Sequence, residues 1–341
     1  MKAALLREYL RPLELVERPE PEPVAPRDVV VRVGGAGVCA TDLHAIDGLM
    51  EPAGLRPPVV LGHENAGWVH AIGADVTTAE PGDAVILYPP FSCGLCVPCR
   101  RGNDMHCVRH GFTGLTRDGG FADYVLVDER SLVALPEGVD PAEVAPHADA
   151  GLTAIHAVKR LAPLLEPGTS AAVIGVGGVG HIALQLLRVY GAGVEVIAVD
   201  TDPRRRRLAR ELGADQVLGE EPDAAGAVRE ATGGKGANVV LDFVATDETH
   251  AAGLAMLARG GFYSIVGYGG LISVPSVALV VDELGMAGNL VGSWIDLWEL
   301  MQLHGREEVA LRTETHRLDD VNEVLDRLRE GEVTGRAVLV P

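Results

Sequence analysis

Short β-branched runs separated by glycine and proline fill the first half of the chain, at 28–33 (DVVVRV), 84–88 (AVILY) and 121–127 (FADYVLV). Runs of this length, bounded by turn residues, predict strands and give this half an all-β signature. Pro19, Pro21, Pro23 and Pro26 fall between two such strands and predict a stiff extended loop. From about Gly151 the rhythm changes to strands alternating with amphipathic helices. Helices are predicted at 152–161, 181–190, 203–212 and 248–258, and strands at 171–175, 194–200, 238–244 and 261–266. That alternation predicts parallel β-α-β units in a doubly wound sheet. After about Val291 come a helix near 295–303, a strand at 310–316, a helix at 318–329 and a closing strand at 336–340. Pattern alone leaves this tail assignable to either half.

At 341 residues the chain exceeds one ordinary core, so two domains are expected. Its 48 acidic and 29 basic side chains give a formal charge of −19, which argues against nucleic acid or an anionic membrane surface as partner. The longest uncharged run, 260–281, contains Gly267, Gly269, Gly270 and Pro275. Strand, turn and strand are expected there rather than a membrane span. The first residues carry charges on both sides of any apolar stretch, so no export signal is expected.

The five cysteines form two groups. Cys93, Cys96, Cys99 and Cys107 are spaced C-x2-C-x2-C-x7-C, a pattern that can close a tetrahedral zinc shell by itself. Their neighbours Arg100, Arg101, His106, Arg109, His110 and Arg117 make the segment locally basic, as in a nucleic-acid-binding zinc ribbon, but the acidity of the whole chain weighs against that reading. Cys39 stands alone and needs distant partners, which predicts a second zinc site with an open position for substrate. Thiolates committed to metal, with none left for disulfides, predict a cytoplasmic protein.

Gly175, Val176, Gly177, Gly178, Val179 and Gly180 fit G-x-G-x-x-G. The hexapeptide follows an apolar strand, opens a helix and precedes Asp200 at the end of the next strand, which is the context a dinucleotide site requires. Glycines let the backbone approach a pyrophosphate at the positive end of a helix, and Asp200 can accept bonds from both adenosine ribose hydroxyls. Its charge would repel a 2′-phosphate and favours NAD(H); Arg204 to Arg207, on the first turns of a helix, pull the other way.

For the open zinc site, His63 follows the apolar strand Val59 to Leu61, and Asp42 is placed to orient its ring as metal-bound histidines require. Asp149, His147 and Glu64 are the alternatives for the third ligand. A carboxylate would neutralise Cys39 plus Zn²⁺, whereas His147 would leave the site one unit positive, and both are chemically allowed.

The ordered set Gly37-Val38-Cys39, Thr41-Asp42, His44, Gly62-His63-Glu64, the four-cysteine lobe, Ala145-Pro146, Asp149 to Thr153 and the glycine loop resembles the medium-chain zinc-dependent alcohol dehydrogenases over the whole chain. The likeness is greatest to bacterial NAD-dependent secondary alcohol dehydrogenases, which carry an aspartate at the position matching Asp149. The resemblance implies a GroES-like β-rich catalytic domain (1–150 and 292–341, with a zinc lobe at about 91–110) and a Rossmann NAD-binding domain (151–291). It implies catalytic zinc on Cys39, His63 and Asp149, with Glu64 behind them. Thr41 would bond the alcohol and His44 would pass its proton outward. Arg204 is a further cofactor contact, Val266 would lie near the nicotinamide, and Arg336 would reach the pyrophosphate. An active cleft between domains follows, with Tyr88, Phe91 and Trp294 as candidate walls. Two zinc ions, NAD(H), a small alcohol or ketone substrate and a homotetramer complete the expectation. Polyol, butanediol or threonine-type dehydrogenases of the same family are the alternative. A zinc-free quinone reductase or a silent NAD-binding protein is the rival from another class.

Overall fold

A computed structural model describes residues 1–219 and 221–341. The chain divides into two compact units, Met1–Leu152 with Gly292–Pro341, and Thr153–Val291.

The first unit is built on a seven-stranded sheet in the order Leu132–Ala134, Ala84–Leu87, Glu64–Ile72, Asp28–Val38, Arg336–Val340, Thr313–Arg317, with Tyr124–Asp128 also paired to Asp28–Val38. Lys2–Leu6, Glu14–Glu17 and Val59–Val60 form a second, three-stranded sheet. Val29, Val31, Val33, Leu61, Val85 and Phe121 are among the apolar side chains that close the core of this unit. Register then sets the chemistry. Gly37 lies opposite Glu64 and Val38 opposite Ala337 in antiparallel pairs. Cys39, His63, Glu64 and Arg336 therefore gather at one end of three adjacent strands. Gly37 is required there, because a Cβ would come within 2.1 Å of the Glu64 carboxylate.

The second unit holds a six-stranded parallel sheet in the order Gln216–Leu218, Glu195–Val199, Ser170–Ile174, Ala237–Asp242, Leu257–Ile265, Gly285–Gly288. Numbered by sequence this is 3-2-1-4-5-6, whose order reverses between Ser170–Ile174 and Ala237–Asp242. Ligands of such sheets bind at the carboxyl ends of the strands flanking that reversal, and Gly175 follows immediately there.

One expected element is different. The second half of the uncharged run is a helix, Ser276–Val281, rather than a strand. Its β-branched residues favour a strand by propensity, but Pro275 stands at the N-cap and the next strand forms only at Gly285–Gly288. Val277, Val280 and Val281 on that helix are exposed.

Candidate active site and metal centres

Cys39 leaves the Asp28–Val38 strand in an extended conformation and caps the helix Ala40–Ile46. Asp42, in the first turn, accepts the Cys39 backbone N–H at 2.9 Å through Oδ2. Its other oxygen stands 3.2 Å from Nδ1 of His63. One buried carboxylate thus fixes the cysteine backbone and faces the imidazole. The opposite ring nitrogen, Nε2, lies 3.6 Å from Oδ2 of Asp149, and the Cys39 sulfur lies 3.9 Å from the same oxygen. Bonds of about 2.0–2.3 Å to a tetrahedral zinc put neighbouring ligand atoms roughly 3.3–3.8 Å apart. The observed separations suit that shell.

Electrostatics point the same way. Burial disfavours the imidazolium of His63, yet Asp42, Asp149 and Cys39 raise its proton affinity well above the ordinary value. Both ring nitrogens are buried and lack a well-angled hydrogen bond among the described residues, although carboxylate oxygens stand close. Three acidic groups around one imidazole favour a cation between them, and a divalent metal satisfies thiolate, imidazole and carboxylate together.

The alternatives for the third ligand separate here. His147 is fully buried and turns Nε2 toward Nδ1 of His304, 3.2 Å away, outside the cluster. Glu64 belongs to the cluster by distance, but both oxygens are engaged: Oε2 by the Arg336 guanidinium and Oε1 by the Ala150 N–H at 3.2 Å. Burial lifts the Glu64 carboxyl to about 7 against the pull of Arg336. Burial also opposes the charge of Arg336, but Glu64 and Cys39 hold that guanidinium above its usual range. Arg336, expected at a pyrophosphate, also pairs with buried Glu64 behind the metal cluster, a pairing that sequence reasoning missed.

Thr41 and His44 both lie on the Ala40–Ile46 helix, three positions apart, and are half-buried. Burial lowers the pKa of His44; Asp47 opposes this and Arg329 adds to it.

Cys93, Cys96, Cys99 and Cys107 bring their four sulfurs within 4.8 Å of one another. The Cys96 sulfur lies 3.3 Å from that of Cys99 and 3.9 Å from that of Cys107, near the roughly 3.8 Å edge of a tetrathiolate zinc shell. Backbone N–H groups of Cys93 and Arg109 donate to the Cys107 sulfur at 3.3 and 3.4 Å. N–H groups of Leu95 and Cys96 bring the Cys93 thiol down to about 6, whereas burial pushes Cys99 up to about 12. Thiolates so unequally stabilised need a shared cation to be ionised together.

In the second unit, Gly175 has φ +86°, and a Cβ there would meet Val244 at 2.6 Å. One at Gly180 would lie 1.9 Å from the Gly175 carbonyl oxygen. Gly177, by contrast, faces open space, with nothing within 4 Å of its would-be Cβ. Together with Gly178 and Val179 they form the turn before the helix Gly180–Tyr190. Asp200 accepts the N–H of Val176 at 2.7 Å and of Asp202 at 2.8 Å, so its carboxylate is locked beside that turn. Two of the four arginines are engaged elsewhere: Arg204 pairs with Asp202 at 2.7 Å, and Arg206 is buried, donating to the carbonyls of Asp200 and Thr201. Val266 donates its N–H to the Asp242 carbonyl at 2.9 Å, beside the same strand ends.

The expected pocket walls differ in burial. Tyr88 is only 1% exposed and donates its hydroxyl to the Gly292 carbonyl at 2.8 Å, so it is a core residue. Burial lifts that hydroxyl above its ordinary range. Trp294, partly buried, donates its indole N–H to the Leu132 carbonyl at 3.0 Å. Phe91 lies under the Arg117 guanidinium, 4.0 Å from the ring centroid. The ring that stands by the metal cluster is Phe112, edge-on to His63 with centroids 6.0 Å apart. Its placement comes from the pairing of Pro90–Phe91 with Gly111–Phe112, which no local sequence signal announces.

Residues 25–137 match the family described as the alcohol dehydrogenase GroES-like domain, and residues 178–304 match the zinc-binding dehydrogenase family. An alcohol dehydrogenase of the archaeon Aeropyrum pernix, solved by crystallography, superposes with a TM-score of 0.97 at 43% identity, covering 100% of both chains. The NAD-dependent alcohol dehydrogenase of Sulfurisphaera tokodaii is 32% identical over 100% of both chains. The D-arabinose 1-dehydrogenase (NADP(+)) of Saccharolobus solfataricus is 33% identical over 100% of this chain and 97% of its own. The chain belongs to the zinc-dependent medium-chain alcohol dehydrogenase family, with its GroES-like and Rossmann-type domains.

Proposed function

We propose that the protein oxidises a secondary alcohol to the ketone, reversibly, with NAD⁺ as hydride acceptor. The observation that carries this reading is the convergence of Cys39, His63 and Asp149 on one buried point, with Phe112 beside it. Bound there, zinc supplies a Lewis acid that lowers the proton affinity of an alcohol oxygen, and NAD⁺ supplies the hydride acceptor.

The chain's own residues do the rest. Asp42 holds the His63 ring and the Cys39 backbone, so the metal-binding atoms are preorganised. Glu64, neutralised by Arg336, braces the cluster from behind and fixes the Ala150 N–H next to Asp149. Thr41 relays the alcohol proton, accepting it at its hydroxyl oxygen as it passes its own hydroxyl proton on, and His44 takes that proton outward at a ring nitrogen. Gly175, Gly177, Gly178, Val179 and Gly180 cradle the pyrophosphate, Asp200 accepts from the adenosine ribose hydroxyls, and Val266 lies by the nicotinamide. Arg204 is held by Asp202 and leaves Asp200 to dominate the ribose site, which favours NAD over NADP. Cys93, Cys96, Cys99 and Cys107 hold a structural zinc.

A sugar or polyol substrate is the second reading, supported by the 33% identity to a D-arabinose dehydrogenase. The apolar Phe112 ring beside His63 favours a hydrocarbon-flanked carbinol instead. The assembly is a homotetramer in this reading. In support, Gly285–Gly288 is an edge strand, and the adjacent segments expose Tyr268, Val277, Val280, Val281 and Leu290. A cytoplasmic location fits five cysteines that form no disulfide.

NADH formation tests the substrate assignment, with 2-propanol, 2-octanol, 1-phenylethanol, ethanol, 2,3-butanediol, sorbitol, D-arabinose and threonine, with and without a zinc chelator. Chelator-sensitive turnover fastest on the simple secondary alcohols is expected. Turnover confined to the sugar, the polyols or threonine would replace this reading with the second.

A further inference from the structure

The Ala40–Ile46 helix ends on Asp47, a carboxylate at the pole of a helix where the peptide dipoles disfavour negative charge. The position is offset from far along the chain. Arg329, the last residue of the helix Val321–Arg329, donates Nη1 to Asp47 Oδ2 at 2.9 Å and Nη2 to Oδ1 at 3.0 Å. Two parallel bonds of this kind fix both the distance and the plane of the guanidinium. Asp47 is three residues beyond His44, so the pair lies on the face of the helix from which His44 projects. His44 is half-buried, where it feels a neighbouring charge more than an open surface residue does.

We propose that Asp47 and Arg329 act as a matched pair of positioning residues that set the proton affinity of His44, and through it the pH range of proton release. The inference rests on the reading of His44 as the outward proton carrier. The two charges face His44 from different elements, Asp47 from its own helix and Arg329 from the Val321–Arg329 helix, and they act in opposite directions. Asp47 stabilises the imidazolium; Arg329 opposes it. Each also keeps the other ionised, since Arg329 holds the Asp47 carboxyl below its usual range and Asp47 holds the guanidinium above its own. With both present the two charges oppose one another, and burial, the largest influence, leaves His44 on the side of the neutral form that can accept a proton. A merely structural tie between the two helices would make no such distinction between the two partners.

The test uses Arg329→Gln, Asp47→Asn, the double variant and Arg329→Lys. Imidazole NMR titration, with the His44 signal assigned by its loss in His44→Gln, is paired with the pH dependence of kcat/KM for alcohol oxidation. Arg329→Gln leaves Asp47 uncompensated, so the His44 midpoint and the alkaline-rising limb of the rate both move to higher pH. Asp47→Asn leaves the guanidinium uncompensated and moves both to lower pH. Each shift is on the order of a few tenths of a pH unit, as expected for partly exposed charges, and shrinks with added salt. The double variant and Arg329→Lys stay near the parent. Unchanged midpoints, or midpoints that move in the same direction in both single variants, would overturn the proposal in protein whose thermal unfolding shows it folded. Opposite NMR shifts with an unmoved rate profile would instead remove His44 from the proton path, and with it the functional half of the inference.

Discussion

Glu64→Gln isolates the buried ion pair behind the metal cluster. In the parent, the Arg336 guanidinium is 5% exposed and Glu64 is fully buried; Arg336 Nε has no partner among the described residues. Above about pH 7, where the Glu64 carboxyl is ionised, glutamine keeps the shape and can still accept the Ala150 N–H, but it removes the charge that compensates a guanidinium unable to deprotonate. Breaking a buried pair from one side costs about 3–5 kcal/mol. Unfolding midpoints of units of about 200 residues, the size of this one, move by roughly 2–4 °C per kcal/mol, so the midpoint should fall by about 6–20 °C. The two-unit chain requires a local probe, and the sequence supplies one, because Trp68, Trp294 and Trp298 all lie in the first unit. Tryptophan fluorescence on zinc-loaded protein therefore reports this transition alone. The double variant Glu64→Gln with Arg336→Met, which leaves no orphaned charge, should recover most of the loss. A fall of less than about 3 °C in Glu64→Gln, or a double variant no more stable than the single, would refute the argument that the pair is buried and coupled.

Gly37→Ala should disturb the same pair, since its methyl would lie 2.1 Å from the Glu64 carboxylate; about 1–3 kcal/mol of lost stability by denaturant titration is expected. Glu129 accepts the backbone N–H groups of Thr77 and Thr78 at 2.7 and 3.0 Å. Burial works against its charge, but these donors hold its carboxyl below the ordinary 4.5. Its stabilisation is therefore present above pH 4.5 and lost as pH falls through the depressed folded value, so the gap in unfolding midpoint between parent and Glu129→Gln should be full at neutral pH and close in acid. Tyr88→Phe removes one buried hydrogen bond, which should cost about 1 kcal/mol in thermal unfolding and leave the ranking of alcohol substrates unchanged; a changed ranking would restore Tyr88 as a pocket wall.

Features carried by contiguous residues were legible in the sequence. The glycine turn with its flanking strand and helix, Asp200 at the next strand end and the four-thiolate spacing each reside in one short segment whose chemistry is local. Features set by register were not. Arg336 meets Glu64 because Ala337 pairs with Val38 and Gly37 with Glu64, a result of long-range strand order that no window of sequence contains. Phe112 reaches His63 through the Pro90–Phe91 pairing for the same reason. Tyr88 misled because an aromatic at a strand end looks alike whether its hydroxyl meets substrate or a backbone carbonyl. The valines of 276–281 read as a strand by propensity, and their helical fold was decided by context outside the segment.

On this reading Cys39, His63 and Asp149 hold a zinc that the chemistry needs, and the four-cysteine lobe holds a second. Metal analysis of the parent and Cys39→Ser, with turnover of the preferred alcohol and NADH affinity measured on the same preparations, tests it most directly. Two zinc ions per chain are expected in the parent, one in Cys39→Ser, with loss of turnover in that variant and NADH binding close to the parent's. Two zinc ions retained in Cys39→Ser, or one ion lost with turnover intact, would contradict it.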